Sequence, residues 1–213
     1  MRGTPEEEAS RGALDKYDTL KNIHARISPK FYLEIGVQRG RSLKLANCSA
    51  IGIDPKPQIN AEEIPVSHKI FKMTSDEFFD DNSVHNSPDL VFIDGLHLFE
   101  QALKDFIHCE KISHSSTSIV IDDVFPAHPA QALRERRTQK WAGDIWKLYL
   151  ILKDYREDLI IDELDVAPTG MIEVSNLDSS NIILTDHYDE IIEQYMNKEL
   201  PDWIIERSFN NYA

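Results

Sequence analysis

The chain has 213 residues, 41% of them hydrophobic and 28% charged, and a net charge of −14. That length supports one domain with a sizeable core, no run reaches the ~20 apolar residues of a membrane helix, and the polar, acidic first ten residues do not read as a secretory signal, so a cytoplasmic protein without membrane attachment is expected. Residues 156–213 carry 14 acidic and 3 basic side chains, and so acidic a chain repels phosphate backbones, which argues against a nucleic-acid partner.

Taken in order, residues 5–27 read as a helix, with Thr4 as cap, Pro5 in the first turn and three glutamates near the positive end of the dipole. Pro29 ends it. Five short apolar runs follow, at 31–35, 49–53, 68–72, 89–93 and 117–121. Such runs suit strands buried on both faces. Helical segments are predicted between and after them, at 41–47, 75–81, 98–112 and 142–155. This alternation predicts a doubly wound, Rossmann-like, mostly parallel α/β sheet. Runs at 159–164 and 170–174, joined through Pro168, predict a C-terminal antiparallel hairpin. Helices over 187–197 and 201–207 close the chain. The expected organisation is a single domain over 1–213, with an N-terminal helix (1–29), a core (30–175) and an acidic extension (176–213). Cys48 and Cys109 lack C-x-x-C spacing and read as buried free thiols.

Ligands of open α/β sheets bind beyond the carboxyl ends of the strands, where strand order reverses. The first such end is Glu34-Ile-Gly36-Val-Gln-Arg-Gly40-Arg-Ser42. Its glycines allow a sharp turn and close backbone approach to a ligand. Glu34 is read as a carboxylate facing an ammonium group, such as that of a methionine moiety. Asp54, 20 residues on, ends the second run and is placed to accept ribose hydroxyls. Thr74 reads as a cap of the next helix, the safer reading, or as a cap that also faces an adenine.

The fourth and fifth ends are Asp94-Gly-Leu-His97 and Asp122-Asp123. Neighbouring strands would bring three carboxylates together. Their mutual repulsion is relieved by a divalent cation, and an all-oxygen donor set favours Mg²⁺, Ca²⁺ or Mn²⁺. His97, with an ordinary pKa near ~6.5, is the candidate general base beside Asp94. The other seven histidines, His85 among them, are read as structural. The basic stretch 134–140 is placed to overhang the cleft and hold an anionic substrate, or to be a solvated loop. Trp141, Asp144 and Trp146 follow at once, and either wall a pocket or pack in the core.

These residues resemble the class I S-adenosylmethionine-dependent methyltransferases. More narrowly, LEIGVQRGRS, GIDPKP, VFIDGLHLFEQALKDF, IVIDDV and WAGDIWK are similar to motifs of the small family that includes macrocin O-methyltransferase and cephalosporin hydroxylase-like proteins. The resemblance covers about 30–155. It implies S-adenosylmethionine as cofactor, with Gly36, Gly40, Ser42 and Asp54 at cofactor-contacting positions and Asp94 beside them. The metal-dependent catechol and caffeoyl-CoA O-methyltransferases offer a second comparison. Asp94, Asp122 and Asp123 fall where their metal ligands fall, and His97 where a catalytic lysine stands in the catechol enzyme. The absence of a D/N-P-P-Y/F motif counts against a nucleic-acid amino-methyltransferase. The reading is therefore Mg²⁺-assisted O-methyl transfer to a small-molecule or sugar hydroxyl, with a homo-oligomer left open. The rivals are a hydroxylase-like or metal-independent methyltransferase on the same fold, and a non-catalytic module.

Overall fold

A computed structural model describes residues 3–81 and 87–206; His85 and residues 207–213 lie outside them. Nine strands and seven α-helices are described, in the order β1 (Leu14–Asp15), α1 (Lys16–Ile27), β2 (Phe31–Ile35), β3 (Ser49–Ile53), β4 (His68–Phe71), α2 (Ser75–Asp80), β5 (Leu90–Ile93), α3 (Phe99–Ile112), β6 (Ser118–Asp122), α4 (Trp146–Tyr155), β7 (Ile160–Leu164), β8 (Val166–Ala167), β9 (Met171–Ser175), α5 (Ile183–Asp186), α6 (Tyr188–Met196) and α7 (Asp202–Glu206). No described helix is long and apolar enough to cross a membrane.

The main sheet has seven strands in the order β4-β3-β2-β5-β6-β9-β7. All pairs from β4 to β6 are parallel, and β9 runs antiparallel to both β6 and β7. This is the predicted doubly wound sheet with its antiparallel hairpin. Strand order reverses between β2 and β5, so the cleft should open beyond their carboxyl ends.

Side chains alternate across a strand, and here the alternation sorts them between two cores. Leu33, Ile35, Val91, Ile93, Ile119 and Ile121 face α3 and α4. Tyr32, Phe92, Val120 and Met171 face the other way, toward Leu20 and Ile23 of α1. Residues Leu184, Ile191, Tyr195 and Ile204 of the C-terminal helices are buried in the first core.

The N-terminal helix is shorter than the sequence predicts. Thr4 does cap a turn, accepting from the Glu7 amide at 3.3 Å, but only residues 5–8 form it. Gly12, at φ 132°, breaks the path. The helix starts instead after Asp15, whose side chain accepts from the Tyr17 and Asp18 amides. Leu14 and Asp15 pair in parallel with Val166 and Ala167, which fixes where α1 begins. The predicted helix over 41–47 is a single 3₁₀ turn, Leu43–Leu45. The predicted 142–155 helix begins only at Trp146, because Gly143 holds φ 59°. Cys109 is buried as expected, whereas Cys48 is half-buried.

Candidate active site

A cleft of about 770 Å³ opens at the reversal of strand order. Gly36, Ser42, Asp54, Thr74, Asp94, His97, Asp122 and Asp123 line it; Glu34 and Gly40 do not.

One half is built by the turns after β2, β3 and β4. Gly36 sits at φ 91°, and a Cβ there would come within 1.8 Å of the Asp94 carbonyl oxygen. Only glycine permits both the left-handed backbone and that approach. Asp54 accepts from the Gln38 and Lys56 amides, each at 2.7 Å, so its carboxylate is held at the cleft edge by the loops it would serve. Thr74 lines the cleft and closes a capping box with Glu77 on α2.

Glu34 corrects the sequence reading. It shares its face of the sheet with Tyr32, so it points beneath α1 and is fully buried. Tyr32 donates to it at 2.8 Å and Ser42 at 2.7 Å. Burial pushes its carboxyl up to about 8, which leaves it protonated at neutral pH. It is not a carboxylate facing a ligand; it holds Ser42, which does reach the cleft. Gly40 serves the loop itself, at φ 65°, a left-handed backbone where a Cβ would also push aside the end of the Ile59 side chain.

The other half is built by the ends of β5 and β6, and the three aspartates do converge there. Phe92 and Asp94 share the α1 face, as do Val120 and Asp122. Both carboxylates therefore meet Lys16, the first residue of α1. Its ammonium lies 2.6 Å from Asp94 Oδ2 and in contact with Asp122 Oδ2. Asp123 adopts φ 63°, a left-handed turn that aspartate tolerates better than most residues. It accepts from Thr169 Oγ1 and faces His97 Nδ1 at 3.3 Å. His97 Nδ1 also lies 2.7 Å from the Trp141 carbonyl, and Nε2 lies 3.5 Å from Asp94 Oδ1.

Three carboxylates thus face two cations. Burial disfavours the Asp94 charge, but Lys16 and His97 outweigh it and hold its carboxyl down at about 2. Burial raises Asp122 and Asp123. Burial also works against a charged His97, yet Asp123 and Asp94 lift it to about 9. An imidazolium at neutral pH has no free lone pair, so His97 rests as a charge partner rather than as the ready base the sequence suggested.

Whether these residues suit a divalent cation is decided by Lys16. Asp94, His97 and Asp123 each present one ligand atom within 4.8 Å of the others. The space between Asp94 and Asp122, however, is filled by an ammonium that already satisfies both. A dication there would have to displace it or sit beside a like charge. The set does not fit a resident metal ligated by Asp94, Asp122 and Asp123 together.

Sequence reasoning missed Lys16 because 78 residues separate it from Asp94. It also missed what WAGDIWK does. Trp141 stacks on the His97 ring at 5.0 Å. A Cβ on Gly143 would meet the His97 carbonyl oxygen at 1.8 Å. Asp144 accepts from the Phe99 amide at the start of α3 and pairs with Arg134 and Lys147. The motif clamps the loop that carries His97. In the basic stretch, Arg134 is spent on Glu100 and Asp144, Lys140 reaches the Glu8 carbonyl, and Arg136 lines the cleft over Trp141.

Residues 33–124 match a family described as a methyltransferase domain. Among solved structures, an O-methyltransferase from Bacillus cereus, in complex with S-adenosylhomocysteine, superposes with a TM-score of 0.58 at 14% identity, covering 75% of this chain and 79% of that one. The O-methyltransferase TomG of Streptomyces achromogenes, involved in tomaymycin synthesis and in complex with S-adenosylmethionine, gives 0.59 at 14%, covering 76% and 80%. A methyltransferase of Podospora anserina, bound to S-adenosylhomocysteine, gives 0.60 at 16%, covering 76% and 78%. No curated protein sequence matches the chain. Residues 33–124 thus resemble a methyltransferase domain, and the chain as a whole shares the doubly wound fold of these solved structures.

Proposed function

We propose that this chain transfers a methyl group from S-adenosylmethionine to a hydroxyl of a small molecule or sugar. The observation that carries the reading is the division of one cleft. The methyltransferase-domain match spans both the Gly36–Asp54 side and the Asp94–Asp123 side, and the first side offers the Gly36 turn and the Asp54 carboxylate while the second gathers three carboxylates with Lys16 and His97. The O-methyltransferases of Bacillus cereus and Streptomyces achromogenes, bound to the cofactor's product or to the cofactor, support the same chemistry.

On this reading Gly36 lets the backbone approach the cofactor's methionine end, Ser42 donates or accepts beside it, and Asp54 takes the ribose hydroxyls. The acceptor oxygen attacks the methyl carbon in line. The sulfur–carbon bond breaks, its electron pair stays on sulfur, and S-adenosylhomocysteine leaves. The hydroxyl proton passes to a carboxylate oxygen of Asp122 or Asp123, which line the cleft and whose carboxyls burial raises, since a protonated His97 has no lone pair to take it. Because the cofactor supplies a reactive sulfonium, positioning supplies much of the rate. Calorimetric titration with S-adenosylhomocysteine tests the reading directly. Micromolar binding that weakens in Asp54→Asn is expected; no binding heat from folded protein overturns it.

A further inference from the structure

We infer that Lys16 is the resident cation of the acceptor site, standing between Asp94 and Asp122 where a divalent metal was expected, so that this pair of carboxylates needs no metal ion. The inference rests on the methyltransferase reading for its consequence and on geometry for its substance. Lys16 is the first residue of α1, and its position is fixed from both sides. Asp15 caps the helix, and the Leu14–Asp15 pairing with Val166–Ala167 sets where the chain enters it. The side chain runs past the Phe92 ring, 5.3 Å from its centroid, and ends between Asp94 and Asp122. No other described ion pair engages Lys16.

The ammonium therefore does two things a metal would do. It neutralises the two carboxylates that end adjacent strands, and it places a fixed positive charge on the wall of the cleft, which Lys16 lines. A fixed cation beside an attacking oxygen stabilises the negative charge that develops there. A dication would do this more strongly, but it would need Lys16 to withdraw from a buried position where its partners have no other described cation except His97. Lys16 is a positioning residue for Asp94 and Asp122, supplied by a segment outside the matched domain.

Titration of the full chain with Mn²⁺, read by electron paramagnetic resonance and calorimetry, tests this without any methyl acceptor. Wild-type protein is expected to bind no Mn²⁺ stoichiometrically at millimolar concentration. Lys16→Met opens the oxygen cluster and should bind one Mn²⁺ at least about tenfold tighter than wild type, and Asp122→Asn in that background should abolish the gain. Lys16→Arg, which keeps the charge, should behave as wild type. Stoichiometric Mn²⁺ binding by wild-type protein that Asp122→Asn removes would overturn the inference, and this arm stands even if Lys16→Met does not fold. A folded Lys16→Met protein with no gain would overturn it too. S-adenosylhomocysteine titrated into the same samples reports separately on the methyltransferase reading.

Discussion

The two halves of the cleft are made in different ways. The half after β2 and β3 is local: Gly36, Gln38, Ser42 and Asp54 lie within 19 consecutive residues, and their bonds are largely to neighbouring backbone amides. The half after β5 and β6 is assembled from remote pieces. Asp94 and Asp122 depend on Lys16, Asp123 on Thr169 and His97, and His97 in turn on the Trp141 carbonyl. A turn can shape itself for a ligand from one stretch of sequence. A cluster of buried charge cannot, because each carboxylate needs a partner that its own strand does not supply.

Substitutions can break or sharpen this contrast. Gly36→Ala should have the largest effect, since it strikes both halves at once. The new Cβ would press on the Asp94 carbonyl from a disallowed backbone, costing more than about 3 kcal/mol; a collapsed melting temperature with no S-adenosylhomocysteine binding is expected. Gly143→Ala should separate the halves. Its Cβ displaces the His97 loop, and a shift of ~1 Å at a reacting group lowers turnover by about 100-fold. The His97 imidazole resonances should move while cofactor-product affinity stays within about twofold of wild type, and equal loss of both would refute the division. Asp54→Asn should act on the cofactor side alone, weakening S-adenosylhomocysteine about 10- to 100-fold, as expected for hydrogen bonds to a charged group, with the His97 resonances unmoved.

Glu34→Gln should have the smallest effect on cofactor-product affinity and turnover, and it carries a specific pH signature in stability. The folded carboxyl titrates near 8 and the unfolded one near ~4.3. The native state therefore holds the proton more tightly, and its stability falls as pH rises between those values and levels off above them. A neutral glutamine removes that decline. Melting temperatures across this range should converge on, then exceed, those of wild type as pH rises; parallel curves would show that Glu34 is ionised in the fold.

The same contrast explains what could be read from the sequence. Strands β2 to β6 were legible because each is a short apolar run and all but β4 close on a glycine or an acidic turn, and their ends place Asp54, Asp94, Asp122 and Asp123 on the cleft. Glu34 was misplaced because its nearness to Gly36 suggested the ligand, while its parity with Tyr32 put it under α1. The helix start was misplaced because Thr4-Pro5 followed by glutamates is a strong start signal, and it took Gly12 and the β1–β8 pairing to override it. Lys16 carries no local signal at all. Its role exists only once a strand pair about 150 residues apart in sequence has closed.

That two-residue pairing has a consequence for the order in which the protein takes shape. Contacts between distant parts of a chain form late, after their loop-closure entropy has been met. As the chain leaves the ribosome, residues 31–54 can fold their turn as soon as β2 and β3 meet. Lys16 emerges first of all and waits until Val166 has been made before its helix is anchored. Synthesis would therefore complete the β2–β3 side early and the charged side last, so that a nascent chain stopped short of Val166 would hold Asp94 and Asp122 without their anchored ammonium in place of a finished site.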